Sequence, residues 1–269
     1  MMDGTAWHRL LIDATERVQE KVSTVARRGD ASKALEVGAS GDITLLADRE
    51  AENALFGVLD RIDGLRIVSE EAGNRGDQNA PFVAVVDPLD GSSNFARGVP
   101  FYCTSVAIAH GNSLGSVGFG IVRNLLNGDV YWAEKGRGSM KNGKRLTSSG
   151  VSTLGDAVLD VDLSRGPPEL TARTGPLISA AKRQVHFGAN ALELCFLAEG
   201  RVDAFVDLRK MMRATDFAAA YLISEEAGAV VTDHQGKTLD PELNLAARFP
   251  VVASGNEVLH QKILRLVSG

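Results

Sequence analysis

The run Val83-Ala84-Val85-Val86-Asp87-Pro88-Leu89-Asp90-Gly91-Ser92-Ser93-Asn94-Phe95 carries the densest chemistry in the chain. An apolar strand delivers Asp87 to its C-terminal end, where ligand sites of α/β sheets gather. Pro88 fixes φ and stiffens a turn that places Asp90 back beside Asp87. Two carboxylates this close repel unless a cation lies between them, and hard oxygen donors favour Mg²⁺ or Mn²⁺. Gly91 permits close approach of the backbone, and the N–H groups of Gly91, Ser92 and Ser93 can cradle an anion. The same residues also fit an ordinary acidic turn, because Asp-Pro-x-Asp-Gly is rich in turn formers.

Further acids sit at comparable positions. Glu70 and Glu71 end another apolar strand in Ser69-Glu70-Glu71-Ala72-Gly73, where a solvated loop suits Glu71. Asp216 starts an apolar helix in Thr215-Asp216-Phe217-Ala218-Ala219-Ala220. Asp48 starts another, shortly after Gly41-Asp42-Ile43-Thr44. Helix capping is an equally good reading of each helix-start acid.

The elements that must carry these acids follow from periodicity. Trp7, Leu10, Leu11, Ala14, Val18, Val22 and Val25 recur at helical spacing. Gly29–Gly41 reads as a polar loop, and Asp48–Ile62 as a second helix. Strands are expected at Leu65–Val68 and Phe82–Val86. A β-rich stretch should then run from Phe101 to Lys141, with turns at His110–Ser113, Asn124–Asp129 and Glu134–Gly138. Beyond Gly150 the pattern alternates. Strands are expected near Ala157–Leu163, Gln184–Phe187, Val202–Val206, Ala229–Thr232 and Pro250–Ala253. Helices are expected near Ala191–Ala198, Asp216–Ala227 and Glu257–Val267. The expectation is an α+β half over residues 1–150 and an α/β half over 151–269, layered as sheets and helices.

Composition narrows the partners. The 269 residues are 44% hydrophobic and 23% charged, which excludes wholesale disorder. Lys and Arg total 29 against 34 Asp and Glu, a net charge of -5 that argues against coating nucleic acid or anionic membrane. Two cysteines, Cys103 and Cys195, lie far apart in apolar stretches and read as buried thiols of a reducing compartment. No apolar run adjoins His8 and Arg9, so a signal peptide is not expected. The charge-free stretch between Arg97 and Arg123 is broken by Pro100 and His110-Gly111-Asn112-Ser113, which suits two buried strands better than a membrane span. A cytoplasmic protein is the expectation.

Two motif matches fail on context. Gly111-Asn112-Ser113-Leu114-Gly115 copies a nucleophile elbow, but an apolar strand rather than a helix should follow it. Gly138-Ser139-Met140-Lys141-Asn142-Gly143-Lys144-Arg145 puts Arg145 where a P-loop needs Ser or Thr, and Asn142-Gly143 signals a hairpin. The five histidines show no paired metal-ligand spacing and read as surface or turn residues.

Taken together, the chain resembles the inositol monophosphatase family, within the lithium-sensitive phosphatase superfamily that includes fructose-1,6-bisphosphatases. Asp87-Pro88-Leu89-Asp90-Gly91-Ser92 with Asn94-Phe95 carries one signature. Asp216-Phe217-Ala218-Ala219-Ala220 with Glu226-Ala227-Gly228-Ala229 carries the other. Gly41-Asp42-Ile43-Thr44 and Ala204-Phe205-Val206-Asp207 look most like the archaeal bifunctional members. The resemblance implies a layered αβαβα sandwich, a homodimer, and Mg²⁺-dependent hydrolysis of inositol 1-phosphate, fructose 1,6-bisphosphate or both by in-line attack of an activated water.

It also implies roles for residues. Glu70, Asp87, the Leu89 carbonyl, Asp90 and Asp216 would hold two Mg²⁺ ions, with Asp48 near a third, looser one; Mn²⁺ would substitute. Glu70 and Ser92 would orient the water, and the Gly91 and Ser92 N–H groups would hold phosphate. Gly188, Ala189 and Asn190 match a segment that touches the sugar. Arg209, Lys210 and Arg213 form a basic cluster ahead of Asp216, where Arg209 or Lys210 could take a second phosphate; a solvated basic loop is the alternative. Two other functions stay open: hydrolysis of 3′-phosphoadenosine 5′-phosphate, and a catalytically silent phosphosugar-binding or interaction module.

Overall fold

The structure is a computed structural model that describes residues 4–39 and 41–267. Two amphipathic helices, α1 (Gly4–Arg28) and α2 (Leu46–Leu59), flank a small hairpin of β1 (Ala34–Val37) and β2 (Ile43–Leu45). Next come β3 (Leu65–Ser69), β4 (Gly73–Arg75), β5 (Phe82–Asp90) and the short α3 (Ser92–Arg97). The meander β6 (Cys103–His110), β7 (Val117–Asn124), β8 (Val130–Glu134), β9 (Gly138–Lys141) and β10 (Lys144–Arg145) follows. The remainder is β11 (Val158–Asp162), α4 (Pro168–Ala180), β12 (Arg183–Val185), α5 (Asn190–Ala198) and β13 (Ala204–Met212), then α6 (Ala214–Glu226), β14 (Val230–Thr232), β15 (Phe249–Ser254) and α7 (Glu257–Val267).

Eight strands form one sheet in the order β10-β9-β8-β7-β6-β5-β3-β4, and five form another in the order β12-β11-β13-β15-β14. Period-two alternation assigns the faces of the large sheet. Ala84 and Val86 of β5 join the core with Leu11, Val18 and Leu55 of α1 and α2. Val83 and Val85 face the other way, into a core shared with α5, α6 and the Phe205, Val251 and Ala253 side of the small sheet. The opposite side of that sheet, through Leu159, Val206 and Val252, packs on Leu177 of α4 and Ile263 of α7. The result is the five-layered αβαβα sandwich that the sequence suggested.

α6 lies between two sheets, and every residue from Ala214 to Ser224 is buried. Its sequence is accordingly apolar on all sides rather than amphipathic. Gly120 of β7 permits this packing, because a Cβ there would stand 2.8 Å from the Ala219 carbonyl oxygen.

Three local expectations need correction. The Gly29–Gly41 loop contains β1, which pairs antiparallel with β2; Ser40 lies outside the described residues. α4 has no counterpart in the periodicity reading, since Pro167, Pro168 and the internal Pro176 read as breakers. Pro168 instead occupies the first turn of the helix, where its missing N–H is not needed. The strand before Pro88 does not end in a turn there; β5 runs on to Asp90.

Candidate active site

That extension of β5 is a bulge. Asp87 pairs with Ser105 and Asp90 with Cys103, so three steps along β5 oppose two along β6. In a regular strand, residues three apart point to opposite faces. The extra residue returns Asp90 to the face of Asp87, and a bulge is also where an internal strand tolerates Pro88.

Glu70 follows β3, which runs parallel to β5, and its N–H donates to the Val86 carbonyl at 3.2 Å. Asp216 comes from the first turn of α6. One carboxylate oxygen from each of Glu70, Asp87 and Asp216 lies within 4.8 Å of the others, and all three side chains are buried. Asp90 adjoins them, accepting from the Ala191 N–H at 2.7 Å and facing the Cys103 thiol at 3.6 Å. Asp87 accepts the Leu89 N–H at 3.0 Å.

Burial and mutual repulsion push the carboxyl groups of Glu70, Asp87 and Asp90 well above the ordinary range. For Glu70 the repelling neighbours are Asp87 and Asp216; for Asp87 they are Asp90 and Asp216. Arg213 is the counter-ion at the cluster, with Nη1 2.6 Å from Glu70 Oε1 and Nε 3.1 Å from each Asp216 oxygen. Burial opposes its charge, but Asp216 and Glu70 hold it protonated. Four acids against one guanidinium form an all-oxygen donor set short of positive charge. It suits a hard divalent cation.

Gly91 has φ +84°, and a Cβ on it would stand 2.9 Å from the Phe101 carbonyl and 3.0 Å from Ala189. This brings the sequence-distant Ala189 against the start of α3. Asn94 Nδ2 strengthens the junction by donating to Phe101 O at 2.8 Å and Phe187 O at 2.7 Å. Gly91, Ser92, Gly188 and Asn190 line a cleft of about 760 Å³ together with Glu70, Asp90 and Asp216.

Asp48 lies outside the three-acid group. Its carboxylate accepts the Leu45 N–H at 2.7 Å, and burial, with Glu71 and Glu52 nearby, pushes its pKa up to about 7.

Of the basic cluster, Arg209 lines the cleft, with its guanidinium held by Asp162, Asp207 (2.8 Å) and the Ser164 carbonyl (2.9 Å). Lys210 is exposed, has φ +59°, and is not among the cleft-lining residues. A second irregularity falls at this point, where the register of β13 against β15 shifts between Asp207 and Met212. Arg97, Arg165 and Arg248 also line the cleft. No shared motif marks them in the sequence, since they come from three separate loops or element ends.

The histidine reading needs correction at two positions. His260 is buried, with Nδ1 2.8 Å from Ser254 Oγ and Nε2 2.9 Å from Thr232 Oγ1. His186 lines the cleft among Asp160, Asp162 and Glu193. The acids at alternate positions of an apolar strand, Asp160 and Asp162, were the available signal.

Comparison with known proteins agrees with this geometry. A model of the inositol monophosphatase family matches residues 6–269. A fructose-1,6-bisphosphatase/inositol-1-monophosphatase from Methanothermobacter thermautotrophicus is 38% identical, over 96% of this chain and 95% of its own. A bifunctional NADP phosphatase/NAD kinase from Methanococcus maripaludis is 30% identical over 95% of this chain, which spans 48% of that relative. Among solved structures, a Pyrococcus horikoshii protein described as similar to inositol-1 monophosphatase superposes with a TM-score of 0.85. It is 31% identical and covers 98% of both chains.

Proposed function

The chain belongs to the inositol monophosphatase family, and on that premise we propose that it is a Mg²⁺-dependent phosphate monoester hydrolase acting on inositol 1-phosphate, fructose 1,6-bisphosphate or both. The observation that carries the reading is the convergence of Glu70, Asp87 and Asp216 beside Asp90 at a cleft that also holds the Gly91–Ser92 backbone.

Glu70, Asp87, Asp90, Asp216 and the Leu89 carbonyl would hold the ions, with Asp48 serving a further one. When bound, such ions supply charge neutralisation at the phosphoryl oxygens and lower the pKa of water. The rest falls to the chain. The N–H groups of Gly91 and Ser92 meet the phosphate oxygens, and the tight Gly91 corner holds those donors in place before substrate arrives. The Glu70 carboxylate and the Ser92 hydroxyl orient the attacking water, and the Glu70 carboxylate accepts its proton. Phosphoryl transfer depends on this positioning and neutralisation more than on covalent chemistry.

Gly188 and Asn190 would contact the polyol, with Ala189 supporting them against Gly91. For a second phosphate, Arg209 and Lys210 remain the sequence-derived choices, and the cleft position of Arg209 supports it over Lys210. A homodimer and a cytoplasmic location complete the reading; among the described residues no helix is long and apolar enough to cross a membrane.

The test is phosphate release from inositol 1-phosphate and fructose 1,6-bisphosphate with and without Mg²⁺, with Asp90→Asn as control. Magnesium-dependent release that falls more than about a hundredfold in the variant supports the reading, since loss of even an outer metal-site group costs ~10–100-fold. Release from neither ester by folded, Mg²⁺-loaded protein refutes it. 3′-Phosphoadenosine 5′-phosphate is the comparison substrate that would then redirect the assignment.

A further inference from the structure

A second set of ionisable side chains converges from three elements beside the same cleft, separate in its residues from the Glu70 cluster. Asp160 and Asp162 project from one face of β11, His186 follows β12, and Glu193 lies in the first turn of α5. His186 Nδ1 is 3.3 Å from Asp160 Oδ1 and 3.1 Å from Glu193 Oε1, while Nε2 is 3.4 Å from Asp162 Oδ1. One donor atom from each of Asp160, His186 and Glu193 lies within 4.8 Å of the other two.

Ion pairing alone leaves this arrangement unfinished. Asp162 and Asp207 already share the Arg209 guanidinium. Asp160 and Glu193 are left with a single imidazole nitrogen, which has one proton to offer both. Glu193 Oε1 takes the N–H groups of Phe187 at 2.5 Å and Gly188 at 2.8 Å. The remaining oxygens, Asp160 Oδ2 and Glu193 Oε2, are buried and meet no N–H or hydroxyl donor. Both side chains have no exposed surface. Buried carboxylate oxygens without donors are costly, and such orphans in a native fold call for a ligand.

We infer that Asp160, His186 and Glu193 form a second divalent-cation site, chemically distinct from the oxygen-only cluster at Glu70 and selective for a borderline metal such as Zn²⁺ or Co²⁺ over Mg²⁺. One imidazole nitrogen with two carboxylates is a donor set that such metals favour, whereas Mg²⁺ takes oxygen ligands and retains its waters. Binding replaces the proton on the ligating imidazole nitrogen, which leaves to solvent. Because Glu193 also holds the Phe187 and Gly188 N–H groups, an ion here ties β11 to the backbone segment that lines the cleft. Its role is bracing that segment.

The experiment strips the full chain with a chelator, refills it with excess Mg²⁺, and dialyses it against Co²⁺ or Zn²⁺. The expected result is one Co²⁺ or Zn²⁺ per chain that excess Mg²⁺ does not displace, with an imidazole shell in X-ray absorption. His186→Asn and Asp160→Asn should each weaken uptake at least tenfold. Asp160→Asn is isosteric and relieves repulsion, so it reports on the site even if His186→Asn unfolds. No uptake in the presence of Mg²⁺, an all-oxygen shell, or uptake unchanged in a folded variant would overturn the inference.

Discussion

Arg213 joins Glu70 to Asp216, with Nη1 2.6 Å from one acid and Nε 3.1 Å from both oxygens of the other. The two acids arrive on different elements, one after β3 and one in α6, so a single guanidinium holds them together. It also competes with any cation for the same oxygens. Arg213→Gln should lower the melting temperature of metal-free protein, since leaving buried acids unpaired costs about 3 kcal/mol. The rise in melting temperature on adding Mg²⁺ should become larger than in wild type. Scanning fluorimetry across a Mg²⁺ titration checks both, and an unchanged metal-free melt would contradict the counter-ion role.

Gly91→Ala should reduce both stability and turnover. The residue combines φ +84° with carbonyl and methyl neighbours 2.9 and 3.0 Å from the new Cβ. Backbone strain of this kind costs of order 1–3 kcal/mol, before the displacement of Phe101 or Ala189 is counted. Denaturant unfolding measures the first loss, and phosphate release under matched folding conditions measures the second.

The cations of the cleft should separate by role. Arg209→Met breaks a buried arrangement with Asp162 and Asp207, and should cost roughly 3–5 kcal/mol of stability. Lys210→Ala, at an exposed position outside the cleft lining, should leave the KM for fructose 1,6-bisphosphate within twofold, an order-of-magnitude bound for a surface charge of about 0.5 kcal/mol or less. In the folded Arg209 variant that KM should rise while the KM for inositol 1-phosphate stays unchanged. Steady-state kinetics on both esters decide it, and equal effects on the two substrates would remove Arg209 from second-phosphate recognition.

Stability should fall on mild acidification partly through His260. Burial lowers its pKa below the ordinary histidine value, so the unfolded chain binds a proton that the folded chain resists. The contribution is fully present above the unfolded pKa and is lost as pH falls below it, from about 7 to 5. His260→Gln keeps a polar group between Ser254 and Thr232 but cannot titrate. Its melting temperature should change less over that interval than the wild-type value, and parallel curves would refute the assignment.

Much of this was legible in residue order. The unbroken apolar run Val83–Val86 marks β5 as a strand, and the apolar run after Asp216 marks α6 as a helix. Asp87, Asp90, Glu70 and Asp216 stood out because acids at the ends of apolar segments are chemically conspicuous. The bulge after Asp87 was not legible, because Asp-Pro-Leu-Asp reads as a turn until the pairing with Ser105 and Cys103 is known. Helix α4 hid behind prolines that serve its first turn. The surroundings of His186 and Arg209 depend on β11, β12, α5 and β13 meeting in space, and no local spacing encodes that meeting.

The distribution of the acidic cluster along the chain sets the order in which it can come into being. Asp87 and Asp90 lie on a strand of the eight-stranded sheet and Glu70 directly follows another, whereas Asp216 rides on α6, wedged between that sheet and the next. During synthesis the first three acids are complete long before the fourth has left the ribosome. A nascent chain therefore carries three of the four acids first, and the proposed cation site would be complete only once α6 docks. On the proposed assignment a product truncated before α6 would lack Asp216 and with it one of the four acids of the site.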